Sequence, residues 1–511
     1  MHGAGGNAGW RFDNSYARLP EQLFSPALPT AVRDPSVAVF NEPLAADLGL
    51  DPAMLLVSAE EIFSGNALPP GAEPIAQAYA GHQFGHFTNL GDGRAILLGE
   101  HLTPDSRRVD IQLKGSGRTR YSRGGDGRAA LGPMLREYFV SEGMHALGIP
   151  TTRSLAVVAT GEWVLRTTPL PGAVLTRIAA SHIRVGTFEY AAAIDAQRAA
   201  PAHPNAKHPD AQQTATPPGL LWALLNHAIA RHDPLLAATE DPATEFLGGV
   251  VARQADLLAR WMLVGFVHGV MNTDNMAVSG ETIDYGPCAF LDAYDPTTVF
   301  SSIDQQGRYA YANQPAIAHW NLARLAESLL PLVRGDEATA LEKVQSVLAR
   351  FPELFERHHL AGARAKLGLI TQENGDRDLF NGLLGKMHEV GADFTTTFAA
   401  LAGVAESGAA SGEPWSRPDF LDWSTRWLER LKRQPGSLSE AAARMRRVNP
   451  LVIPRNQMVE EALQAAESGD LTVAHRLLAA IRAPFLESAE NVAYRVGPPR
   501  GCGPYRTFCG T

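Results

Sequence analysis

The spacing of apolar residues changes part-way along the chain. Val109-Asp-Ile-Gln-Leu-Lys114 alternates with a period of two, which predicts a half-buried strand with Lys114 on the face opposite the apolar residues. From about residue 220 the apolar residues recur at helical spacing, as in Leu220-Leu-Trp-Ala-Leu-Leu and Asp256-Leu-Leu-Ala-Arg-Trp. The sequence therefore predicts a strand-rich region followed by a helical one.

A helix is predicted shortly after that strand. Its apolar stripe runs through Leu131, Met134, Leu135, Tyr138 and Phe139. Glu137 lies on the flank of this stripe. A strand lysine paired with a helix glutamate is how kinase-like folds hold the phosphates of ATP. Because any helix carries flanking glutamates, a solvated Glu137 and a surface Lys114 remain the alternative.

Composition divides the chain into five segments. We predict an N-terminal extension over 1–78, a strand-rich region with nucleotide-binding loops over 79–190, and a flexible insertion rich in Ala, Pro, His and Gln over 191–219. A helical lobe is predicted over 220–405. A Ser/Gly/Pro-rich break then opens a C-terminal helical region with a cysteine-containing tail over 406–511.

The composition is typical of a large intracellular enzyme. Hydrophobic residues make up 45% of the 511 positions, which supports substantial cores. The 45 Lys and Arg against 54 Asp and Glu give a net charge of −9, which argues against a nucleic-acid-binding surface. No apolar run approaches the roughly 20 residues of a membrane span, and the first residues lack the apolar core of a signal peptide. We expect a cytoplasmic monomer without nucleic-acid or membrane partners.

Residues 268–286 fit the frame of a protein-kinase catalytic loop except at one position. A kinase loop places Asp two residues after its His, a metal-binding Asn seven residues after that His, and Asp-Phe-Gly further on. The His, Asn275 and Asp284 are present here, but Val270 stands where the base belongs, and valine cannot accept a proton. The nearest carboxylate is Asp274. The sequence therefore keeps the nucleotide and metal apparatus and moves or changes the chemistry.

Asn275 and Asp284 are the predicted metal ligands. The dipeptide Ser279-Gly280 predicts a two-residue hairpin turn, and that register places Asn275 opposite Asp284. Directly opposed residues have Cβ atoms roughly 4.5–5.5 Å apart, close enough to share one cation. Their oxygen atoms suit Mg²⁺ or Mn²⁺. An ordinary hairpin with two polar residues near its turn remains the alternative.

Three upstream features could bind phosphate. The turn Gly91-Asp-Gly93-Arg94 leads into an apolar strand and lets the backbone approach an anion. The loop from Gly115 to Arg128 carries four arginines among its glycines. Arg177 and Arg184 could reach the same phosphates. An ordinary glycine turn remains the alternative for the first feature, and solvated surface arginines remain the alternative for the other two.

Seven segments spread over nearly the whole chain resemble the selenoprotein O (YdiU) family. They are Phe12-Asp-Asn-Ser-Tyr-Ala-Arg-Leu-Pro20, Tyr79-Ala-Gly-His-Gln-Phe-Gly-His86, Gln112-Leu-Lys-Gly-Ser-Gly117, Gly161-Glu162, Phe266-Val-His-Gly-Val-Met-Asn-Thr-Asp-Asn-Met276, Asp284-Tyr-Gly-Pro-Cys288 and Asn449-Pro-Leu-Val-Ile-Pro-Arg-Asn456. The combination is long and specific.

This resemblance implies a kinase-like, two-lobed α+β fold with added N- and C-terminal segments. It also implies that ATP binds inverted relative to ordinary kinases, as co-substrate with Mg²⁺ or Mn²⁺, and that AMP is transferred to Ser, Thr or Tyr hydroxyls of proteins. Asp274 would accept the proton, Asn275 and Asp284 would hold the metal, and Glu137 would pair with Lys114. The nucleotide would be held by Gly91, Gly93, Arg94, Lys114, Asp126, Gly127, Arg177, Arg184 and Asp284.

Two other functions remain open at this point. A phosphotransferase of the small-molecule kinase type has a similar loop, but with Asp where Val270 stands. An ATP-binding scaffold without catalytic activity belongs to a different class. The sequence also leaves open the acceptor protein, UTP as an alternative donor, and the choice between Mg²⁺ and Mn²⁺.

The chain has three cysteines, Cys288, Cys502 and Cys509. Three cysteines in 511 residues do not form a secreted disulfide framework. Cys288 follows Asp284 closely, whereas the other two lie in the tail. We predict redox regulation in which a tail cysteine is tethered to Cys288, with three ordinary thiols as the alternative.

Overall fold

A computed structural model describes residues 8–199, 219–408, 413–498 and 505–507. Most of the insertion predicted over 191–219 lies outside the described residues, as do Cys502 and Cys509. Residues 191–199 complete a helix instead. The five predicted segment boundaries stay predictions.

The first part of the chain builds an antiparallel sheet. Its strands run in the order β1-β3-β6-β7-β10-β9-β2, with the short β8 paired to β10. Two further pairs, β4–β5 and β11–β12, form small sheets of their own. The strands are β1 Phe24–Pro26, β2 Ser36–Phe40, β3 Ile75–Gln77, β4 Ala80–Gln83, β5 His86–Asn89, β6 Ala95–Leu102, β7 Arg108–Lys114, β8 Ala129–Ala130, β9 Arg153–Leu165, β10 Pro169–Ala179, β11 Phe266–Val267 and β12 Ala289–Phe290.

Helices dominate the remainder. They are α1 Glu42–Asp47, α2 Pro52–Ser64, α3 Leu131–Ala146, α4 Val185–Ala199, α5 Leu220–His232, α6 Pro242–Val264, α7 Gln314–Leu329, α8 Glu337–Ala349, α9 Phe351–Lys366, α10 Asp376–Val390, α11 Phe394–Ser407, α12 Pro418–Lys432, α13 Leu438–Met445, α14 Asn456–Glu467 and α15 Thr472–Ile481. Helix α6 carries the apolar pattern predicted near residue 256, and it ends at Gly265 in a left-handed conformation.

Strand β7 is buried on both faces, so the expectation of a half-buried strand is wrong. Its apolar residues face a core shared with α2, β9 and β10. Its polar residues face other charged groups: Asp110 pairs with Arg231 of α5 at 3.0 Å, and Lys114 pairs with Glu137 of α3 at 2.7 Å. A polar face can be buried in this way only because each charge meets a partner.

Helix α3 connects the sheet to the end of the chain. The predicted stripe of Leu131, Met134, Leu135, Tyr138 and Phe139 lies in one core with apolar residues of α14 and α15. This confirms the predicted helix and shows what covers it. Residues near the C-terminus therefore help to set the position of Glu137.

The described chain is a mixed α+β structure with an antiparallel sheet followed by a helical lobe, and this confirms the predicted fold class. The described helices are all too short or too polar to cross a membrane.

Candidate active site

A cavity of about 500 Å³ brings the predicted site residues together. This volume is within the range typical of small-molecule sites. Residues from β7, β10, the glycine-rich loops and the segment 270–287 line it. The predicted residues on its wall are Gly91, Gly93, Arg94, Lys114, Asp126, Gly127, Arg177, Arg184, Asp274, Asn275 and Asp284.

Four charged side chains form a buried cluster, and three of them line the cavity. Lys114 contacts Glu137 at 2.7 Å and Asp284 at 2.8 Å. Arg177 contacts Glu137 at 2.6 Å and Asp284 at 2.7 Å. Each carboxylate thus bridges both cations. The solvated Glu137 and surface Lys114 considered as an alternative do not occur.

The cluster keeps its carboxylates charged. Burial alone would raise the pKa of Asp284, but Arg177, Lys114 and Arg184 hold that pKa well below its usual value. The same balance, with Arg177 and Lys114 opposing burial, lowers the pKa of Glu137. An ionised Asp284 is what a divalent cation requires of a ligand.

Arg184 is buried beside this cluster and has spare hydrogen-bonding capacity. Its guanidinium lies 4.2 Å from the ring centroid of Tyr79 and 3.6 Å from carboxylate oxygens of Asp92 and Asp284. Among the described residues, its Nε and Nη1 atoms have no hydrogen-bond partner. Buried polar atoms are rarely left unsatisfied, so these nitrogens point to an anionic ligand. Surface exposure, the alternative for Arg177 and Arg184, is contradicted for both.

The glycines of the two loops have steric reasons to be glycine. At Gly91, with φ of 129°, an added Cβ would lie 2.4 Å from the Tyr121 ring. At Gly127, with φ of 70°, it would lie 2.1 Å from the backbone of Gly117. Asp126 is held beside the cavity by Arg166 at 2.8 Å. The loops therefore bring backbone close to the cavity, as phosphate-binding loops do.

Asp274 lies in a 3-10 turn, Thr273–Asn275, and also lines the cavity. Its Oδ1 is buried and has no hydrogen-bond partner among the described residues. Burial raises the pKa of Asp274 to about 6, against the lowering effect of Arg184. An added Cβ at Gly81 of β4 would lie 2.1 Å from this Oδ1. The carboxylate fits only because residue 81 is glycine.

The predicted hairpin around Ser279-Gly280 is wrong. A turn does form there, with the Gly280 amide donating to the Ala277 carbonyl at 3.2 Å. The flanking segments, however, do not pair with each other: Ala277 pairs with Arg184 and Thr282 pairs with Thr151. Both segments are buried between other parts of the chain, and these neighbours take the backbone hydrogen bonds that a hairpin would use.

Asn275 and Asp284 nevertheless both reach the cavity. The Asn275 amide nitrogen donates to the Val270 carbonyl at 3.0 Å, which leaves the amide oxygen available. In the described parts of the chain, no group of three or more His, Cys, Asp or Glu side chains could hold a metal by itself. One amide oxygen and one ionised carboxylate fit a Mg²⁺ or Mn²⁺ ion that completes its coordination with phosphate and water.

Cys288 is fully buried behind the cavity, and burial raises its pKa to about 12. Arg136, next to Glu137 on α3, donates to the Cys288 carbonyl at 2.6 Å. The tail residue Thr507 donates to the Pro287 carbonyl at 2.7 Å. The C-terminal tail thus contacts the segment that follows Asp284.

Three cavity residues escaped the sequence analysis. Tyr79 and Asp92 flank Arg184. Both lie inside sequence segments described above, so their position beside predicted site residues could have identified them. Arg166 comes from the turn between β9 and β10 and gave no signal, because only the fold brings it to Asp126.

Comparison with known proteins agrees with the geometry. A family model described as protein adenylyltransferase SelO matches residues 9–482. The protein nucleotidyltransferase YdiU of Geobacillus kaustophilus is 56% identical over 507 residues, covering 99% of this chain and 100% of that protein. Its namesake from Syntrophotalea carbinolica is 53% identical over 508 residues, covering 98% of both. The chain belongs to the SelO (YdiU) family and is a protein nucleotidyltransferase.

Proposed function

We propose that this nucleotidyltransferase uses ATP to attach AMP to Ser, Thr or Tyr hydroxyls of other proteins. The observation that carries the proposal is the position of the two candidate bases. Val270, at the kinase base position, offers no proton acceptor, whereas Asp274 lines the cavity with a carboxylate whose pKa burial raises to about 6. The site keeps its kinase-like Lys114, Glu137 and Asp284.

In the proposed reaction, phosphate binding and proton transfer are carried out by different residues of the cavity. Lys114, Arg177 and Arg184 neutralise the triphosphate and orient its α-phosphorus. Asp274 takes the proton of the acceptor hydroxyl as the oxygen bonds to that phosphorus. The bond from the α-phosphorus to the bridging oxygen breaks, and pyrophosphate leaves. A Mg²⁺ or Mn²⁺ ion held by Asn275 and Asp284 would supply charge stabilisation to the phosphates.

We also propose control by thiol oxidation, in which a peroxide-type oxidant from the surroundings takes two electrons and two protons as Cys288 and a tail cysteine form a disulfide. Support comes from the Thr507 contact with Pro287, which brings the tail beside Cys288. Because burial leaves little of this thiol ionised, the bond should form slowly. Reductant should raise the transfer rate of an oxidised sample, and Cys288→Ser should be active and indifferent to reductant. Peptide mapping that always finds Cys288 reduced would contradict this control.

The function is tested by following both ends of the triphosphate. The protein is incubated with a divalent cation, bulk protein and ATP labelled at either the α- or the γ-phosphate. We expect protein label from α-labelled ATP alone. Protein label from γ-labelled ATP alone would show a kinase, and binding without transfer would show a scaffold.

A further inference from the structure

The β4–β5 hairpin lies against the segment that carries Asp274. The His82 amide donates to Oγ1 of Thr273 at 2.7 Å, and the Phe84 amide donates to Oδ1 of Asn272 at 3.2 Å. The hairpin forms a sheet of its own, apart from the eight-stranded sheet. Its position is therefore set by the candidate catalytic segment together with helix α4, which packs against β4.

A buried glutamate fixes this arrangement. Glu189 of α4 contacts Nδ1 of His82 at 2.5 Å and accepts a hydrogen bond from Oγ1 of Thr273 at 2.5 Å, so both its oxygens are engaged. From the opposite side, the Tyr309 hydroxyl donates to Oδ1 of Asn272 at 2.7 Å. The hairpin is thus held firmly beside the candidate base.

Aromatic and cationic side chains surround the tip of the hairpin. Phe87 of β5 is 47% exposed, and its ring packs against His82. Trp320 of α7 also contacts the His82 ring, with 5.3 Å between centroids. The guanidinium groups of Arg308 and Arg324 each lie 4.9 Å from the centroid of Trp320. We call Phe87, Arg308, Trp320 and Arg324 the aromatic platform.

The two arginines of the platform differ in their ion pairs. Arg324 pairs with Glu327 at 2.6 Å. Asp304 instead accepts hydrogen bonds from the backbone amides of Arg308 and Tyr309, at 2.9 and 2.8 Å. In the described ranges no carboxylate forms an ion pair with the Arg308 guanidinium. Arg308 can therefore pair with an acidic group from a partner.

We propose that the aromatic platform docks the acceptor protein and favours hydroxyls flanked by acidic side chains. This inference rests on the proposed function. The acceptor hydroxyl must reach Asp274 while the phosphates lie at Lys114 and Arg177, and the hairpin is hydrogen-bonded to the segment that carries Asp274. Exposed aromatic residues and arginine are typical centres of protein interfaces, and complementary charge supplies selectivity.

The test uses three serine peptides that differ only in flanking residues: acidic, neutral and basic. Each is offered to the enzyme with α-labelled ATP and a divalent cation, beside bulk protein as a reference acceptor. We expect kcat/KM for the acidic peptide to exceed that for the neutral one by about threefold, the size of effect expected from one exposed ion pair. Arg308→Glu should reverse the order of the acidic and basic peptides and change KM more than kcat.

Phe87→Ala should raise KM for all three peptides and leave kcat and ATP affinity unchanged. Arg426→Glu, on the exposed side of α12, is the matched control and should behave as wild type. If bulk protein is labelled but the acidic peptide is no better an acceptor than the neutral one, or Arg308→Glu leaves the order unchanged, the docking proposal is overturned. If nothing is labelled at all, the proposed function fails first, and the docking proposal fails with it.

Discussion

The two aspartates of the cavity are held in opposite ways. Asp284 contacts Lys114 and Arg177 directly, and these cations keep its pKa low. Asp274 is buried with one oxygen unpaired, and burial raises its pKa to about 6. Burial disfavours the charged form at both sites, so the difference arises from the cations around each carboxylate. Asp284 is therefore held in its charged form, whereas Asp274 is suited to accept a proton.

The largest effect is expected from substitution of Asp284. Asp284→Ala should abolish transfer and weaken metal-dependent ATP binding, because the triphosphate loses the cation that bridges it to the protein. It also leaves Lys114 and Arg177 with one carboxylate between them. Transfer and ATP binding are measured with and without divalent cation. Wild-type ATP affinity in the presence of the cation would contradict the assignment of Asp284.

Substitution of Asp274 should lower the transfer rate without weakening ATP binding. Asp274→Ala should retain ATP affinity and lose about 10²- to 10⁴-fold in transfer rate, the range that a general base supplies. Asp284→Ala is its natural control, since the two variants should differ in ATP affinity. Wild-type turnover of Asp274→Ala would remove this residue from the mechanism.

Gly81 tests whether the position of the Asp274 carboxylate matters. An added Cβ would lie 2.1 Å from Oδ1, so Gly81→Ala should displace the carboxylate and lower transfer by about 10²-fold without changing ATP affinity. Gly385→Ala is the matched control, because an added Cβ there meets nothing within 4 Å. If both glycine variants have equal transfer rates, the carboxylate is not tightly positioned.

Glu281 stands between the two aspartates in sequence and tests burial without a cation partner. Burial raises its pKa from 4.5 to about 7. The folded protein therefore retains a proton that the unfolded chain loses, and this contribution to stability declines as pH rises through that interval. Glu281→Gln should remove the decline, making the variant about 2.5 kcal/mol more stable relative to wild type at pH 8 than at pH 5. Thermal unfolding of the wild type and of Glu281→Gln is measured at pH 5 and at pH 8. An equal difference in stability between the two proteins at both pH values would contradict the raised pKa.

Sequence patterns predicted the parts of the site that depend on local spacing. The strand bearing Lys114 and the helix bearing Glu137 both formed where they were predicted, because each pattern is a property of one element, although the strand is buried on both faces. The hairpin at Ser279-Gly280 did not form, because its flanking segments bond to Arg184 and Thr151 instead. Such long-range partners leave no trace in local periodicity.

Whether an individual side chain is buried or exposed also could not be predicted from local sequence patterns. Surface and buried arginines look alike in sequence, and only the fold shows that Arg177 and Arg184 are buried beside Asp284. The contact between Arg166 and Asp126 likewise depends on how the β9–β10 turn lies over the glycine-rich loop. The resemblance to the SelO family named the residues, but their geometry required the structure.

The most direct test of the account places a carboxylate at residue 270, the kinase base position, and removes the carboxylate from residue 274. The double variant Val270→Asp with Asp274→Ala is compared with wild type, using α- and γ-labelled ATP and bulk protein. ATP affinity is measured in both to show that the site is intact. We predict α-label on protein with the wild type and neither label with the variant, because the base acts only where the α-phosphorus is presented. Protein label from γ-labelled ATP with the variant, or restored label from α-labelled ATP, would contradict the account.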